Sequence, residues 1–595
     1  MAEYTPPLRD IAFTLEAVAG LPEVASNFGD HAASDVVAPV LEEAGKLASK
    51  VLAPLNVPGD RTGSVLENGV VRTPKGFKEA YRTYVDGGWN GLPFDPEFGG
   101  QDLPWLVTTA VQEMWQSANL SWTLGPLLTF GAVEALQTHG SEEQKRVYLP
   151  KLVSGEWMGT MNLTEPQAGS DVGALRTRAV PSGDHYKITG QKIFITYGDH
   201  DWTENIVHLV LARLPDAPAG SKGISLFLVP KFLVGPDGRP GPRNDLRVVS
   251  LEHKLGIHAS PTCVMAYGDG GGAVGYLVGK PNEGLACMFT MMNNARLGVG
   301  LQGIAVAERA YQQARDYART RVQSREIGAR SADAAPIIRH PDVRRMLLTM
   351  RALTEASRAL AYTTAASLDL AKRHSDAAER QRHQARVDLL TPVVKAWGTD
   401  IGVEVASLGI QVHGGMGFIE ETGAAQHYRD VRITPIYEGT NGIQANDLVF
   451  RKLGRDGGAA ARAYLAEIEA YEAALGPASG DDLAVIGREL ATGRKALEAA
   501  TDSIVQQMAH DPRRAAAAAV PYLRLFGTVS GGYLMAKAAS AALAALKHGG
   551  DAGFHRAKVG TARFYADHIL SQAAAQLHTV REGAASVLEF SEDQF

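Results

Sequence analysis

The 595-residue chain has little cysteine: Cys263 and Cys287 only. Two thiols cannot staple a chain of this size, nor supply a multi-cysteine zinc or iron–sulfur site. Long apolar runs are missing too. No stretch approaches the ~20 consecutive apolar residues that cross a bilayer, and the alanine-rich stretches 515–519 and 536–546 are short. Charge of one sign is not in excess, since the net value is −6. A surface built for nucleic acid or anionic lipid would need clustered basic residues. The opening MAEYTPPLRD is polar, with no basic start leading into an apolar run, so it does not read as a signal peptide. Reduced thiols and a cytoplasmic protein without a membrane span are the expectation. Finally, no strand–GxGxxG–helix unit is present. GDGGGAVG (268–275) follows a candidate strand without a convincing helix after it and reads as a β-turn.

What remains is organised by hydrophobic period. Residues 1–35 are mixed, with Pro6, Pro7 and Pro22 interrupting any long helix. From 36 to 158 the spacing is helical, broken by the Gly/Pro-dense loop 88–104, with Ser141 as a candidate N-cap. Short β-branched runs then cover 185–196, 205–214, 223–230, 245–252 and 262–269, and predict antiparallel strands in a β-domain over 159–282. Helical period returns over 283–453, with long amphipathic stretches at 296–324, 341–374 and 378–412. GRDGGAA (454–460) reads as a linker to an Ala-rich helical block reaching 595. The expected fold is therefore mainly α with a central antiparallel β-domain and an additional helical C-terminal domain, not a doubly wound sheet.

Four segments could carry chemistry. MNLTEPQAGSDVGAL (161–175) combines Thr164, Ser170 and glycine-permitted backbone approach, or is an ordinary Pro/Gly turn. In GQKIFITYGDHDW (190–202), alternation puts Ile193 and Ile195 on one face and Phe194 and Thr196 on the other. An aromatic ring beside a strand hydroxyl suits a flat heterocycle, and equally a plain core. QVHGGMGFIEE (411–421) ends a helix at Gly414, Gly415 and Gly417; His413 lacks a second ligand at i+3 or i+4, so no metal is called for. The sharpest is IYEGTNGIQ (436–444). Glu438 follows two large apolar residues, and the desolvation expected there would raise its pKa and make it a competent base. A helix starting near Asn441 could present N–H groups to an anion. The bland reading is a loop glutamate capping that helix.

Taken in order, LTEPQAGSD (163–171), KIFIT (192–196), the pattern around Arg296, YARTRV (317–322), QVHGGMGF (411–418) and RDVRITPIYEGTNGIQ (429–444) resemble the acyl-CoA dehydrogenase family over roughly 36–453. The length and helical tail are similar to its larger bacterial members, a subgroup that includes long-chain-type enzymes and 3-methylmercaptopropionyl-CoA dehydrogenases. The resemblance implies an FAD enzyme that introduces a trans-2,3 double bond into an acyl-CoA and passes electrons to an electron-transferring flavoprotein. It places Glu438 as the base that removes the Cα proton. It puts Thr164 and Thr196 on the isoalloxazine edge with Phe194 packing on the ring, and Ser170 near the FAD pyrophosphate or the thioester. Thr440 and Asn441 would approach the FAD phosphates. Arg321, Gln411 and Gly415 would reach the adenine half of an FAD held mainly by a neighbouring subunit, which makes a homodimer the minimum unit and leaves a tetramer open. Arg296 would meet CoA, with Tyr437 and Gly439 also on the substrate side. Ser324 stands where many members carry Phe, Asn293 where many carry Asp, and 330–341 is longer than the compact pattern. Substrates left open are 3-(methylthio)propanoyl-CoA and a medium or long fatty acyl-CoA. Alternative functions are an oxidase using O₂ and a non-enzymatic nucleic-acid-binding relative. The last is disfavoured by a tail (454–595) with 14 Lys+Arg against 16 Asp+Glu.

Overall fold

The computed structural model describes residues 3–29, 32–330, 333–475 and 481–595. The start of the opening segment, part of the 330–341 stretch and residues 476–480 of the tail thus lie outside the described residues. The chain forms two compact units: one of Met1–Gly45, Pro104–Ser117 and Val299–Phe595, the other of Lys46–Leu103 and Ala118–Gly298.

The second unit holds the β-domain. Its strands are β1 (Met158–Asn162), β2 (Arg178–Ser182), β3 (His185–Thr196), β4 (Ile206–Ala212), β5 (Ser225–Pro230), β6 (Leu246–Leu251), β7 (Thr262–Tyr267) and β8 (Ala273–Val278). They join in the order β6-β7-β3-β8-β5-β4-β1, with β2 added to β3. Three of them, β1, β2 and β8, are absent from the sequence-based expectation. MGTMN and RAVPS are too short and too poor in β-branched residues to announce themselves. The sheet is also not wholly antiparallel, because β1 pairs with β4 in parallel register. The core beneath β3 and its neighbours is apolar, with Ile188, Ile195, Val210 and Phe227 buried. Among the helices of this unit, Glu142–Ser154 opens as expected on Ser141, in a reciprocal capping box with Gln144.

The first unit is helical. Its elements include α1 (Trp105–Ala118), α2 (Gly284–Thr320, in this unit from Val299), α3 (Pro341–Arg373), α4 (Ala377–His413), α5 (Ala424–Val431) and α6 (Asn441–Asn446). The tail adds α7 (Ala459–Leu475), α8 (Asp481–His510), α9 (Pro512–Lys547), α10 (Ala552–His568) and α11 (Ala573–Leu588). The expected linker is a tight break instead: Gly457 and Gly458 take positive φ and α7 begins at once. The N-terminal segment is folded in. Tyr4 and Ile11 are buried, and Asp10 shares the buried Arg358 guanidinium with Glu113 and Glu308.

Among the described residues α9 alone is long and apolar enough to cross a membrane, and 61% of its apolar window is buried. Its apolarity serves packing. A Cβ at Gly527 would come within 2.4 Å of the Trp397 ring on α4, and one at Gly531 within 2.5 Å of the Tyr565 hydroxyl on α10. Small residues thus let α9 lie close against both helices. A cleft of about 640 Å³ opens beside this contact, lined by Asp400, Glu404, Tyr428, Arg524 and His568 among others.

Candidate active site

In the β-domain unit, Thr164 and Ser170 follow β1 in the chain, and Phe194 and Thr196 lie on β3. The loop after β1 runs beside β3, where Ile193 N–H donates to the Thr164 carbonyl at 2.9 Å. Beneath it, Lys192 is fully buried and its Nζ donates to the Leu163 carbonyl at 2.9 Å and to Glu165 Oε1 at 2.8 Å. Glu165 also accepts from the Arg176 and Thr177 N–H groups, the Thr177 hydroxyl and the Gln167 amide. Burial would raise this carboxyl, but the Lys192 ammonium and these donors outweigh it and hold the pKa at about 2. Burial lowers Lys192 to about 8, so the pair is ionised at neutral pH. Neither residue figures among the expected site residues. The signal was a lysine in the middle of a strand that otherwise packs a core.

The alternation expected on β3 is broken. Between Lys192 and Ile195 the strand carries one more residue than β7 opposite it, a β-bulge. Phe194 takes φ +59° there, and its ring is left 58% exposed. Ile193 and Ile195 therefore do not share one buried face: Ile195 is buried and Ile193 only half so. Thr164 and Thr196 are half-buried, and Ser170 is exposed. A Cβ at Gly169 would meet nothing within 4 Å. An exposed aromatic side chain and unobstructed backbone at Gly169 suit a flat heterocycle such as an isoalloxazine. Arg296, expected to meet CoA, has a buried side chain, with the guanidinium 5.8 Å from the Phe289 ring centre.

In the helical unit, the segment after α5 carries Glu438. It is half-buried and Ile436 is exposed, so its sequence neighbours do not supply the desolvation expected of them. The backbone is the more informative feature. Glu438 sits at φ +56° and Gly439 at +83°, and a Cβ at Gly439 would also fall 2.7 Å from Gln444 Nε2. A left-handed glutamate costs about 1 kcal/mol or more and persists only where its surroundings over-determine it. They do so here. Gln444 Nε2 donates to the Glu438 carbonyl at 3.1 Å, Lys395 Nζ to the Gly439 carbonyl at 2.7 Å, and Asn441 N–H to the Pro435 carbonyl at 3.0 Å. The Tyr437 hydroxyl donates to the buried amide oxygen of Gln302. Thr440, not Glu438, caps α6, so the bland capping role does not fall to the glutamate.

Asn441 is turned inward. Its amide donates to the Ala396 carbonyl, to Thr399 and to Asp400 at 2.7 Å, and accepts from Lys395 at 2.9 Å. With its N–H committed as well, the side chain braces α4 instead of reaching for a phosphate. The Thr440 hydroxyl only accepts, from Ile443 N–H at 3.3 Å, and keeps its hydrogen to give. Arg321, Gln411 and Gly415 are exposed near one end of α2 and α4, where Tyr317 stacks on His413 at 4.4 Å. The His413 ring is held by the Gly409 carbonyl at 2.7 Å. Around them Met416 is 48% and Phe418 85% exposed.

The chain matches the acyl-CoA dehydrogenase N-terminal domain over 41–156, the middle domain over 160–269 and the C-terminal domain over 282–453. An acetyl-CoA dehydrogenase C-terminal-like domain matches 464–591. It belongs to the acyl-CoA dehydrogenase family, a family of oxidoreductases. It is 50% identical over 99% of its length, and 100% of the relative's, to a 3-methylmercaptopropionyl-CoA dehydrogenase of Ruegeria pomeroyi. It is 35% identical, over the full length of both chains, to the broad-specificity linear acyl-CoA dehydrogenase FadE5 of Mycobacterium tuberculosis. In fold it is similar to a Bacillus anthracis acyl-CoA dehydrogenase complexed with FAD. There the TM-score is 0.74 at 20% identity, covering 98% of this chain and 93% of that one.

Proposed function

We propose that the protein dehydrogenates an acyl-CoA between Cα and Cβ, with 3-(methylthio)propanoyl-CoA as its substrate and an electron-transferring flavoprotein as electron acceptor. The half-identity, end to end, with an enzyme named for that thioester supports the substrate. The 35% relative named for linear acyl-CoAs supports a fatty acyl-CoA as the second reading.

The observation that carries the reaction is the Glu438 loop, in which a carboxyl group stands on a strained, heavily braced backbone at the head of a helix. Its carboxylate takes the Cα proton, and its N–H supports the thioester carbonyl as enolate character develops. FAD, when bound, supplies the two-electron oxidant that accepts the hydride leaving Cβ. Thr164 and Thr196 hold the flavin edge, Phe194 packs on its ring, and Ser170 lies toward the pyrophosphate or thioester. Thr440 donates to the FAD phosphates. The exposed Arg321, Gln411 and Gly415 serve the FAD of a second copy. The apolar surface around them, Phe418 above all, supports a homodimer. Both cysteines are free and buried, which suits the reducing cytoplasm.

The test is an anaerobic titration of the yellow protein with 3-(methylthio)propanoyl-CoA and saturated acyl-CoAs of graded length, followed by flavin absorbance. The methylthio substrate should bleach the flavin at the highest kcat/KM. Slow reoxidation in air supports a dehydrogenase, and rapid peroxide formation an oxidase. Glu438→Gln should retain FAD and bind substrate, yet lose at least about 10³-fold in the bleaching rate, because the amide cannot accept a proton. Bleaching at the wild-type rate would overturn the base assignment.

A further inference from the structure

Lys395 is completely buried on α4, in the run LLTPVVKAW, where the other residues are apolar or small. A buried ammonium is costly unless its protons are all used. Its hydrogen bonds are specific. One hydrogen bond of 2.7 Å goes to the Gly439 carbonyl, the peptide directly after the proposed base. Another of 2.9 Å goes to the Asn441 amide oxygen. Asn441 is in turn fixed to Ala396, Thr399 and Asp400 of the same helix. Lysine and asparagine together therefore tie both sides of the 438–440 loop to α4 across 44 residues of chain.

We propose that Lys395 is a positioning residue for proton abstraction. It fixes the Gly439 carbonyl and so holds Glu438 in its left-handed conformation, which aims the carboxylate and the adjoining N–H at one thioester. The inference rests on Glu438 being the base. It concerns the rate of Cα deprotonation, not the binding of FAD or CoA, since Lys395 reaches backbone and amide atoms of the loop and both bonds lie inside the protein. A base displaced by about 1 Å from its near-attack position loses roughly 100-fold in rate.

The experiment uses the FAD-loaded full-length enzyme and measures Cα deprotonation apart from turnover. A saturated acyl-CoA is incubated anaerobically in D₂O with the Cβ position blocked by replacement with sulfur or oxygen, so that hydride cannot leave. Exchange of the Cα hydrogens is followed by NMR. Lys395→Met, which keeps an unbranched side chain in the cavity, should slow exchange and kcat together by about 100-fold. Its dissociation constant for the analogue and its flavin content should stay within threefold of wild type. Lys395→Arg, which restores charge and donors, should recover part of the exchange rate. If Lys395→Met exchanges at the wild-type rate, or if its loss of rate merely follows lost flavin or weaker analogue binding, the positioning role is wrong. Glu438→Gln run beside it separates the two claims. Undiminished exchange in that variant overturns the base itself, whereas abolished exchange there with normal exchange in Lys395→Met overturns only the role of the lysine.

Discussion

Two stretches of this chain use the same device in different ways. In the β-domain unit, Phe194 stands at positive φ, and the fully buried Lys192 two residues earlier holds the Leu163 carbonyl of the adjoining loop. In the helical unit, Glu438 stands at positive φ and the equally buried Lys395 holds the Gly439 carbonyl. Each lysine also grips a side chain that passes the constraint on. Lys192 grips the Glu165 carboxylate, which gathers the backbone of Arg176 and Thr177. Lys395 grips the Asn441 amide, which is anchored on α4. The first arrangement secures a surface on which a ring can lie; the second secures the direction of one carboxyl group. A carboxylate relay is strong but titratable, while an amide relay has no proton to gain in acid.

The largest effect should come from removing the lysine of the first pair. Lys192→Met leaves the Glu165 carboxylate buried without its counter-ion, which costs about 3–5 kcal/mol. Chemical denaturation should show the loss, and the purified variant should carry less FAD. Lys395→Met should register instead in turnover. If Lys192→Met keeps both its flavin and its denaturation midpoint, the two lysines are not doing comparable work.

Acid should separate the two stretches next. The Glu165 carboxyl is held below its ordinary range, so its contribution to stability is complete above the unfolded-state value near 4.5 and is lost as pH falls toward about 2. Hydrogen exchange at Arg176 and Thr177, whose N–H groups donate to Glu165, should lose protection over that window. In the network that braces the Glu438 loop the carboxyl is Asp400, which burial raises against the pull of Asn441. It gains its proton earlier, but a neutral carboxyl still accepts a hydrogen bond from Asn441, and three other contacts remain. Loss of protection at 441–444 over the same window as at 176–177 would erase the distinction.

How much of this was legible in the sequence follows from which forces are local. The strand 185–196 and the helices 341–373 and 377–413 fall within a residue or so of their periodic patterns, because hydrophobic spacing and caps act over a few residues. The order of family motifs singled out Glu438 and the residues around it. The β-bulge at Phe194 was not legible, since register against β7 decides where the extra residue falls. Nor was the inward turn of Asn441, whose partners are more than 40 residues away. Lys395 had left a trace: one lysine in the apolar run 389–397 is hard to place on a solvent face. Hydrophobic period reports that such a residue is buried, but not what it holds.

The smallest effect tests the strain itself. If the φ of Glu438 is imposed by its braces, a residue without a Cβ should relax it. Glu438→Gly and Glu438→Gln both lack the base and both should be inactive, so activity does not confuse the comparison. Glycine gains the relief of a left-handed side chain, about 1–2 kcal/mol, and gives back roughly 0.5–1 kcal/mol through its freer unfolded chain. Glu438→Gly should therefore be more stable than Glu438→Gln by about 0.5–1 kcal/mol, a rise of no more than about 2 °C in the thermal midpoint of a domain this large. Phe194→Gly against Phe194→Ala applies the same subtraction on the bulge, where the 58%-exposed ring contributes little burial to lose. A glycine at 438 no more stable than glutamine, beside a stabilising glycine at 194, would mean that only the bulge is strained. Lys395 would then be holding a loop that rests where it is by itself.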